Sequence, residues 1–341
     1  MSQTVLLTGA SGFIAKHIVL RLLERGHRVR GSLRSAARAG EVRAAVAPHL
    51  TDPAALDRLS FVVLDLDGDE GWAEAAAGAD AVIHTASPFP IRQPADADVL
   101  IRPAVQGTLR ALRAARAAGI GRVILTSSTA AMVNAPLPAG RTMLTEADWS
   151  PADDPAGTPY VRSKTLAERA AWDLAAREAP GMALTVINPA FVLGPPLDDR
   201  FGSSVGVVAR MLGGRDPAVP RLGFAVVDVR DVAEMHLRAL ERPETAGLRF
   251  LAAAGSMWFR DMALVLKAAF PDRRIATREA PDWLIRLLAR FDGEIRAILP
   301  ALGRIERFDA TRAEAGMGMA FVPPAEALLA AARHLVARGL A

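Results

Sequence analysis

TVLLTGASGFIAKHIV, the stretch Thr4–Val19, joins a β-rich run to an amphipathic helical pattern through a turn that contains two glycines. Glycines at such a turn let the backbone approach a phosphate, and the helix N-terminus offers unpaired N–H groups and the positive end of its dipole. A glycine pattern alone is weak evidence, but here a strand precedes it and a helix follows it at once. The stretch therefore predicts a nucleotide-binding turn at Gly9–Ile14.

Short β-rich runs continue to alternate with helical patterns through the first half of the chain. The predicted strands are Thr4–Thr8, His27–Leu33, Leu59–Asp65, Ala81–Ala86, Arg122–Ser127 and Ala183–Asn188. Six strands with intervening helices predict an α/β fold built on a doubly wound, Rossmann-like parallel sheet. The ligand site of such a sheet lies at the carboxyl ends of its strands.

Prolines and glycines interrupt this alternation after Asn188, and the second half of the chain is organised differently. A strand-like run at Phe224–Asp228 and a helical pattern from Arg230 to Glu241 resume the α/β order, so we expect the chain to return to the sheet there. The sequence thus predicts a dinucleotide-binding domain at residues 1–190 with a return segment near 222–253. Residues 191–221 and 254–341 are expected to form a smaller, mostly C-terminal substrate lobe.

Composition excludes several classes of protein and site. The chain has 341 residues, 51% of them apolar and 23% charged, and no cysteine, which excludes disulfides, thiolate catalysis and cysteine-ligated metals. Arginine supplies nearly all of the 41 basic residues, but these alternate with acidic ones, so we expect no nucleic-acid partner. No signal peptide or apolar run of roughly 20 residues is visible, which predicts a cytoplasmic protein without a membrane partner. The six histidines show no paired metal-ligand spacing, and we predict no metal.

The end of the second predicted strand indicates which dinucleotide would bind. An acidic residue there holds the ribose 2′-hydroxyl of NAD and repels a 2′-phosphate, but this strand ends in Gly31-Ser32-Leu33-Arg34. Arg38 lies one helical turn beyond Arg34 if the segment is already helical. Two guanidinium groups within reach of one phosphate favour NADP(H), although solvated surface arginines would give the same pattern.

The strongest chemical signal is Tyr160-Val161-Arg162-Ser163-Lys164. Tyr160 is the only tyrosine in the chain, and on a helix Lys164 points the same way four residues later. We expect the ammonium group to lower the pKa of the phenol, which would make Tyr160 a proton donor and acceptor near neutrality. Hydroxyls at Ser127, Ser128 and Thr129 end a predicted strand beside the expected cleft, where one could hold a carbonyl oxygen or simply cap a helix.

Taken together, these motifs resemble the extended short-chain dehydrogenase/reductases, within the branch of dihydroflavonol 4-reductase, cinnamoyl-CoA reductase and yeast-type methylglyoxal and aldehyde reductases. The similarity covers most of the chain. Its motifs are TGASGFIAKHIV at Thr8–Val19, GSLRS at Gly31–Ser35, VIHTASPF at Val82–Phe89, ILTSS at Ile124–Ser128, YVRSKTLAERAAW at Tyr160–Trp172, INPAFVLGP at Ile187–Pro195 and VDVRDVAEMH at Val227–His236.

The resemblance implies a role for each matching residue. Ser128, Tyr160 and Lys164 would be the catalytic residues, with Lys164 also binding the nicotinamide ribose. The other cofactor-binding residues would be those of the glycine turn, the 2′-phosphate site, the adenine site and the nicotinamide end, namely Gly9, Ala10, Ser11, Gly12, Phe13, Ile14, Arg34, Arg38, Asp65, Leu66, Thr85, Ala86, Ser87, Pro189 and Val192. One extra residue between Ser128 and Asn134, relative to the plant flavonoid enzymes, argues against a flavonoid substrate.

The predicted function is NADPH-dependent reduction of an aldehyde or ketone. One alternative is an NAD-dependent nucleotide-sugar epimerase or dehydratase, which would prefer an acidic residue at Leu33. Another is a non-catalytic NADP-binding redox sensor, which would need no proton donor. The expected apolar substrate walls are Phe89, Met132, Phe191, Met257 and Trp258, and the helical patterns Val99–Ala118 and Thr158–Glu178 offer a homodimer face or ordinary core packing.

Overall fold

The computed structural model describes residues 2–88, 96–153 and 157–341 and is built around a seven-stranded parallel sheet. The sheet order is β3-β2-β1-β4-β5-β6-β9. Its strands are β1 (Thr4–Thr8), β2 (Arg28–Leu33), β3 (Leu59–Val63), β4 (Ala81–His84), β5 (Arg122–Thr126), β6 (Ala183–Pro189) and β9 (Arg249–Ala252). The predicted doubly wound, Rossmann-like class is confirmed, and the order reverses between β1 and β4, where such sheets bind ligands.

Helices cover both faces of this sheet because successive strand residues point to opposite sides. On one face Val5 and Leu7 of β1 pack in the core with Ile18 of α1 and with α2 and α7. On the other face Leu6 packs with Leu112 of α4 and with α3 and α5. The bounds are α1 (Phe13–Glu24), α2 (Ala39–Val46), α3 (Trp72–Ala76), α4 (Asp98–Ala117), α5 (Pro159–Arg177) and α7 (Val229–Glu241).

A smaller three-stranded sheet follows, with the order β10-β8-β7. It consists of β7 (Phe191–Leu193), β8 (Gly223–Asp228) and β10 (Gly255–Trp258). The expectation that the Phe224–Asp228 run rejoins the large sheet is wrong, because this run pairs with β7 and β10 instead. The chain returns to the large sheet later, where β9 adds to the edge beside β6.

The remaining helices surround the small sheet. Val205 and Val208 of α6, Met262 and Leu266 of α8, and Leu328 of α12 pack into one apolar core with it. Their bounds, and those of the helices between them, are α6 (Ser203–Leu212), α8 (Phe259–Ala269), α9 (Asp282–Leu288), α10 (Gly293–Ile298), α11 (Thr311–Met317) and α12 (Pro324–Ala337). Within the described ranges, no helix is both long enough and apolar enough to span a bilayer.

Candidate active site

A cleft of about 640 Å³ opens at the carboxyl ends of β1, β4, β5 and β6 and extends to the small sheet. Most of the residues selected from the sequence line it. These are Gly9, Ser11, Gly12, Phe13, Ile14, Arg34, Arg38, Leu66, Thr85, Ala86, Ser87, Ser128, Tyr160, Lys164, Pro189 and Val192. Ala10 and Asp65 are not among the lining residues, because Ala10 is buried behind the turn and Asp65 is exposed after β3.

The glycine turn begins where β1 ends and leads directly into α1. Gly9 has a positive φ of 69°, and a Cβ there would lie 3.0 Å from the Cα of Ala86 on the loop after β4. Its neighbour Ala10 is fully buried and donates its N–H to Ser32 at 2.9 Å, so Ala10 supports the turn from behind. Gly12 is the N-cap and has no side chain to satisfy the first amides of α1, and Phe13 and Ile14 of this first turn line the cleft. The turn therefore leaves backbone N–H groups available to an anion.

Arg34 and Arg38 both line the cleft just after β2, but their charges are not equally available. Arg38 is paired with Glu41 of α2 at 2.9 Å, and the side chains of Lys16 and Arg200 each lie 3.5 Å from the same carboxylate. Arg34 has no ion pair within the part of the chain that the structure describes. The guanidinium of Arg38 is therefore already paired, at an i, i+3 spacing from Glu41 that is visible in the sequence, and the assignment of both arginines to a 2′-phosphate stays a prediction.

Asp65 is not among the residues that line the cleft, and its predicted contact with the adenine stays a prediction. It is exposed after β3, its carboxylate accepts a hydrogen bond from the Asp67 backbone N–H at 3.0 Å, and its carbonyl accepts one from the Trp72 indole at 3.3 Å. Leu66, by contrast, lines the cleft together with Leu64 and Trp72. This part of the cleft is therefore apolar, as a stacked base requires, and the indole was not predicted.

Ser128, Tyr160 and Lys164 converge from two different elements. Ser128 follows β5, and Tyr160 is the second residue of α5, whose N-cap Thr158 accepts a hydrogen bond from the Val161 backbone N–H at 3.2 Å. The phenol of Tyr160 is hydrogen-bonded to the Ser128 side chain, and the Lys164 ammonium lies 5.9 Å from the centre of the Tyr160 ring. A hydroxyl, a phenol and a cation therefore meet beside the glycine turn.

The hydroxyls on either side of Ser128 have other partners. Ser127 donates to the buried carboxylate of Glu168 at 2.6 Å, and Thr129 donates to the Pro189 carbonyl at 3.4 Å. The sequence alone left all three hydroxyls as candidates. In the structure only that of Ser128, among the three, reaches Tyr160.

Burial controls the titration of the pair on α5. Burial raises the pKa of Tyr160 to about 12, and the hydrogen bond with Ser128 lowers it in part. Burial also lowers the pKa of Lys164 to about 8, against an opposing effect of Glu168. The expectation that the pKa of Tyr160 lies near neutrality is wrong, because desolvation of the phenolate raises it more than its neighbours lower it. Tyr160 therefore carries its proton throughout the neutral range.

The part of the chain from β1 to β9 also identifies the family. A family model described as the NAD dependent epimerase/dehydratase family matches residues 5–250. The chain belongs to this family. The resemblance to extended short-chain dehydrogenase/reductases is thereby confirmed, and the named sequence relatives confirm the reductase branch within them.

Similar members of the epimerase/dehydratase family include named reductases. Cinnamoyl-CoA reductase 1 of Arabidopsis thaliana is 35% identical over 279 residues, which covers 81% of this chain and 77% of the relative. A ketoreductase of Aspergillus niger is 34% identical over 311 residues, which covers 86% and 90%. The solved structure of yeast methylglyoxal/isovaleraldehyde reductase complexed with NADPH superposes with a TM-score of 0.80 at 28% identity and covers 99% of this chain and 100% of the other.

The far wall of the cleft in this epimerase/dehydratase family member differs from the one predicted. Phe191 lines it as expected and stacks on Phe224, with ring centroids 4.9 Å apart and an interplanar angle of 8°. Met132 is instead fully buried in a separate core cluster, Met257 packs into the core of the small sheet, and Trp258 is outside the lining. Phe89 lies outside the described residues.

Sequence reasoning missed Phe224 and Glu306, which also line this wall. Neither residue stands in a motif, and they are about 80 positions apart in the sequence. The bridge between Gly223 and Ile305 brings them together, and no local pattern predicts such a pairing. Across the described ranges, no group of three or more His, Asp or Glu side chains is arranged to hold a metal ion.

Proposed function

We propose that this chain is an NADPH-dependent reductase that converts an aldehyde or ketone to the alcohol, with Tyr160 as the proton donor. The observation that carries the proposal is the hydrogen-bonded Ser128–Tyr160 pair with Lys164 beside it, inside the cleft that the glycine turn also lines. Named reductases among the similar sequences, and an NADPH complex among the similar structures, support the same assignment.

The residues of the cleft fit NADPH. Gly9 leaves room that a Cβ would fill, the first turn of α1 offers its amides to the pyrophosphate, and Arg34 is available to the 2′-phosphate. Leu66 and Trp72 suit the adenine, while Thr85, Ala86, Ser87, Pro189 and Val192 would border the nicotinamide. When bound, NADPH supplies the hydride.

The side chains of the chain itself supply the proton and hold the substrate. Because the pKa of Tyr160 is about 12, its phenol is protonated near neutral pH and can donate a proton to the new alkoxide. The Ser128 hydroxyl would donate a hydrogen bond to the carbonyl oxygen and stabilise the charge that develops there. Lys164 would hold the nicotinamide ribose and, while charged, favour loss of the phenol proton to the substrate.

The substrate would lie between the carboxyl edge of the large sheet and the predicted lobe of residues 191–221 and 254–341. Phe191 and Phe224 provide apolar surface on that side of the cleft. We place the reaction in the cytoplasm with a small carbonyl compound as the partner. A homodimer through the α4 and α5 surface, and the absence of a nucleic-acid partner, remain predictions.

Loss of NADPH fluorescence with a panel of small aldehydes and ketones tests the proposal, with nucleotide sugars and NADH as controls. The reductase assignment predicts NADPH consumption that depends on a carbonyl compound and is slower with NADH. Conversion of a nucleotide sugar without net cofactor consumption, detected by chromatography of the sugar, would instead establish the epimerase or dehydratase alternative. Tight NADPH binding without turnover of any compound would indicate a redox sensor.

A further inference from the structure

Glu306 is held rigidly at the wall of the cleft that the small sheet provides. The backbone N–H of Glu306 donates to the Gly223 carbonyl at 3.3 Å, and the Glu306 carbonyl accepts a hydrogen bond from the Ser256 hydroxyl. The preceding residue, Ile305, forms a bridge with Gly223, where a Cβ would lie only 2.7 Å from the Ile305 side chain. The backbone at Glu306 therefore has little freedom to turn away from the cleft.

Glu306 is partly buried at the wall of the cleft, and within the described ranges its carboxyl group has no cation as a partner. Phe224 and Phe191 line the same wall, and no ion pair involves Glu306 among the residues that the structure describes. Burial raises the pKa of Glu306 to about 7, and the backbone N–H of Ala225 lowers it in part. A carboxylate has about four acceptor positions, so one backbone group leaves most of them without a donor.

Glu168, the buried carboxylate behind the catalytic residues, has a different set of contacts. It accepts hydrogen bonds from Arg249 and Ser127, both at 2.6 Å, and from Asn188 at 2.7 Å. Glu168 is therefore satisfied by the protein and needs no ligand. Glu306 lacks such a set of donors, and it lines the cleft that also contains Tyr160 and Ser128.

We propose that Glu306 determines substrate specificity by accepting a hydrogen bond from a hydroxyl or ammonium group that the carbonyl substrate carries away from its reacting carbon. The inference rests on the proposed reductase function. A substrate that fills the cleft would remove water from this carboxylate, and a donor on the substrate would compensate that loss, because unpaired buried acceptors are costly. At a pH above the pKa of Glu306, which is about 7, the carboxylate is charged and would repel a substrate with a carboxylate or phosphate at the same place. The substrate class is therefore an apolar aldehyde or ketone with a distal hydrogen-bond donor.

Four ketones that share one skeleton test this inference. They are benzylacetone and its para-hydroxy, para-aminomethyl and para-carboxy derivatives, and kcat/KM with NADPH is measured for each. The proteins compared are wild type, Glu306→Gln, Glu306→Leu and the control Glu314→Gln, which changes an exposed glutamate of α11 outside the cleft. Titration with NADPH verifies that each variant retains a folded cofactor site.

Wild type and Glu314→Gln are expected to prefer the better of the two donor-bearing ketones over benzylacetone by about tenfold or more. A preference for the para-hydroxy ketone would identify the substrate's donor as a hydroxyl, and a preference for the para-aminomethyl ketone would identify it as an ammonium. In Glu306→Leu this ratio should approach one, and Glu306→Gln should reduce the discrimination against the para-carboxy ketone by about tenfold. Ratios that do not differ between wild type and the Glu306 variants would overturn the inference while leaving the reductase function intact. No NADPH consumption by wild type with any ketone would contradict the proposed function itself.

Discussion

Burial lowers the pKa of Lys164 to about 8, which gives the proposed reaction a testable dependence on pH. If the ammonium group assists proton release from Tyr160, kcat/KM for carbonyl reduction should be constant near neutral pH. It should fall above pH about 8 as Lys164 deprotonates. In Lys164→Arg the charge persists, so the fall near pH 8 should disappear even if the absolute rate is lower. A fall at the same pH in Lys164→Arg would show that another group is responsible.

Arg34 and Arg38 should contribute unequally to cofactor choice, because Arg38 is already paired with Glu41. Losing one charge-assisted contact costs roughly 1.5–3 kcal/mol, which is about one to two orders of magnitude in affinity. We expect Arg34→Ala to weaken NADPH by that amount and to leave NADH nearly unchanged, while Arg38→Ala has the smaller effect.

Lys164→Ala is the control for these arginines, because the nicotinamide ribose is present in both cofactors. It should weaken NADPH and NADH alike. Dissociation constants for both cofactors in each variant provide the measurement. Equal weakening of NADPH and NADH by Arg34→Ala would mean that this arginine supports the turn after β2 and does not contact a 2′-phosphate.

At the scale of elements, the turn between β1 and α1 depends on the backbone of Gly9. Gly9→Ala would force an alanine into a positive φ, at roughly 1–2 kcal/mol, and would also place its Cβ 3.0 Å from Ala86. Gly26→Ala is the matched control, since Gly26 has a φ of 81° and no atom within 4 Å of the added Cβ. Both variants should lose stability in denaturant titrations, but only Gly9→Ala should also lose NADPH affinity. Equal NADPH affinity in the two variants would show that this turn does not contribute to cofactor binding.

The sequence predicted elements well where the signal is local and poorly where it depends on distant pairing. The run Thr4–Thr8 and the helix after it carry their own hydrophobic periodicity and turn chemistry, and both form as predicted. The run Phe224–Asp228 also forms a strand, but it belongs to the small sheet because it pairs with β7 and β10. Periodicity identifies a strand and does not identify its neighbours.

The same distinction applies to the candidate site. The pairing of Tyr160 with Lys164 could be predicted because a spacing of four residues places both side chains on the same face of a helix. The pKa of Tyr160 could not be predicted, since it depends on burial by residues from other elements. Glu306 reaches the cleft only through its bridge to β8 and carried no local signal.

At the scale of the whole molecule, a buried ion pair connects α5, which carries Tyr160 and Lys164, to the edge of the large sheet. Arg249 of β9 donates to Glu168 of α5 at 2.6 Å, lies 3.7 Å above the Trp149 ring, and is 7% exposed. Removing one partner of a buried pair leaves the other charge uncompensated. We therefore expect Arg249→Leu to lower the free energy of unfolding by about 3–5 kcal/mol.

Arg338→Gln provides the comparison, because it breaks a more exposed pair with Asp199 at 2.7 Å. Its cost should be much smaller than that of Arg249→Leu. Urea denaturation of the two variants and the wild type measures both values. Similar small losses in the two variants would show that the Arg249–Glu168 pair does not hold α5 against the sheet.

Turnover by Tyr160→Phe tests proton donation by Tyr160 most directly. The substitution keeps the ring and removes only the hydroxyl that is bonded to Ser128. With a carbonyl substrate of the wild type, and under conditions where chemistry limits the rate, kcat should fall by roughly 10²–10⁴ while the dissociation constant of NADPH stays the same. Wild-type turnover by Tyr160→Phe under those conditions would contradict the assignment of Tyr160 as the proton donor.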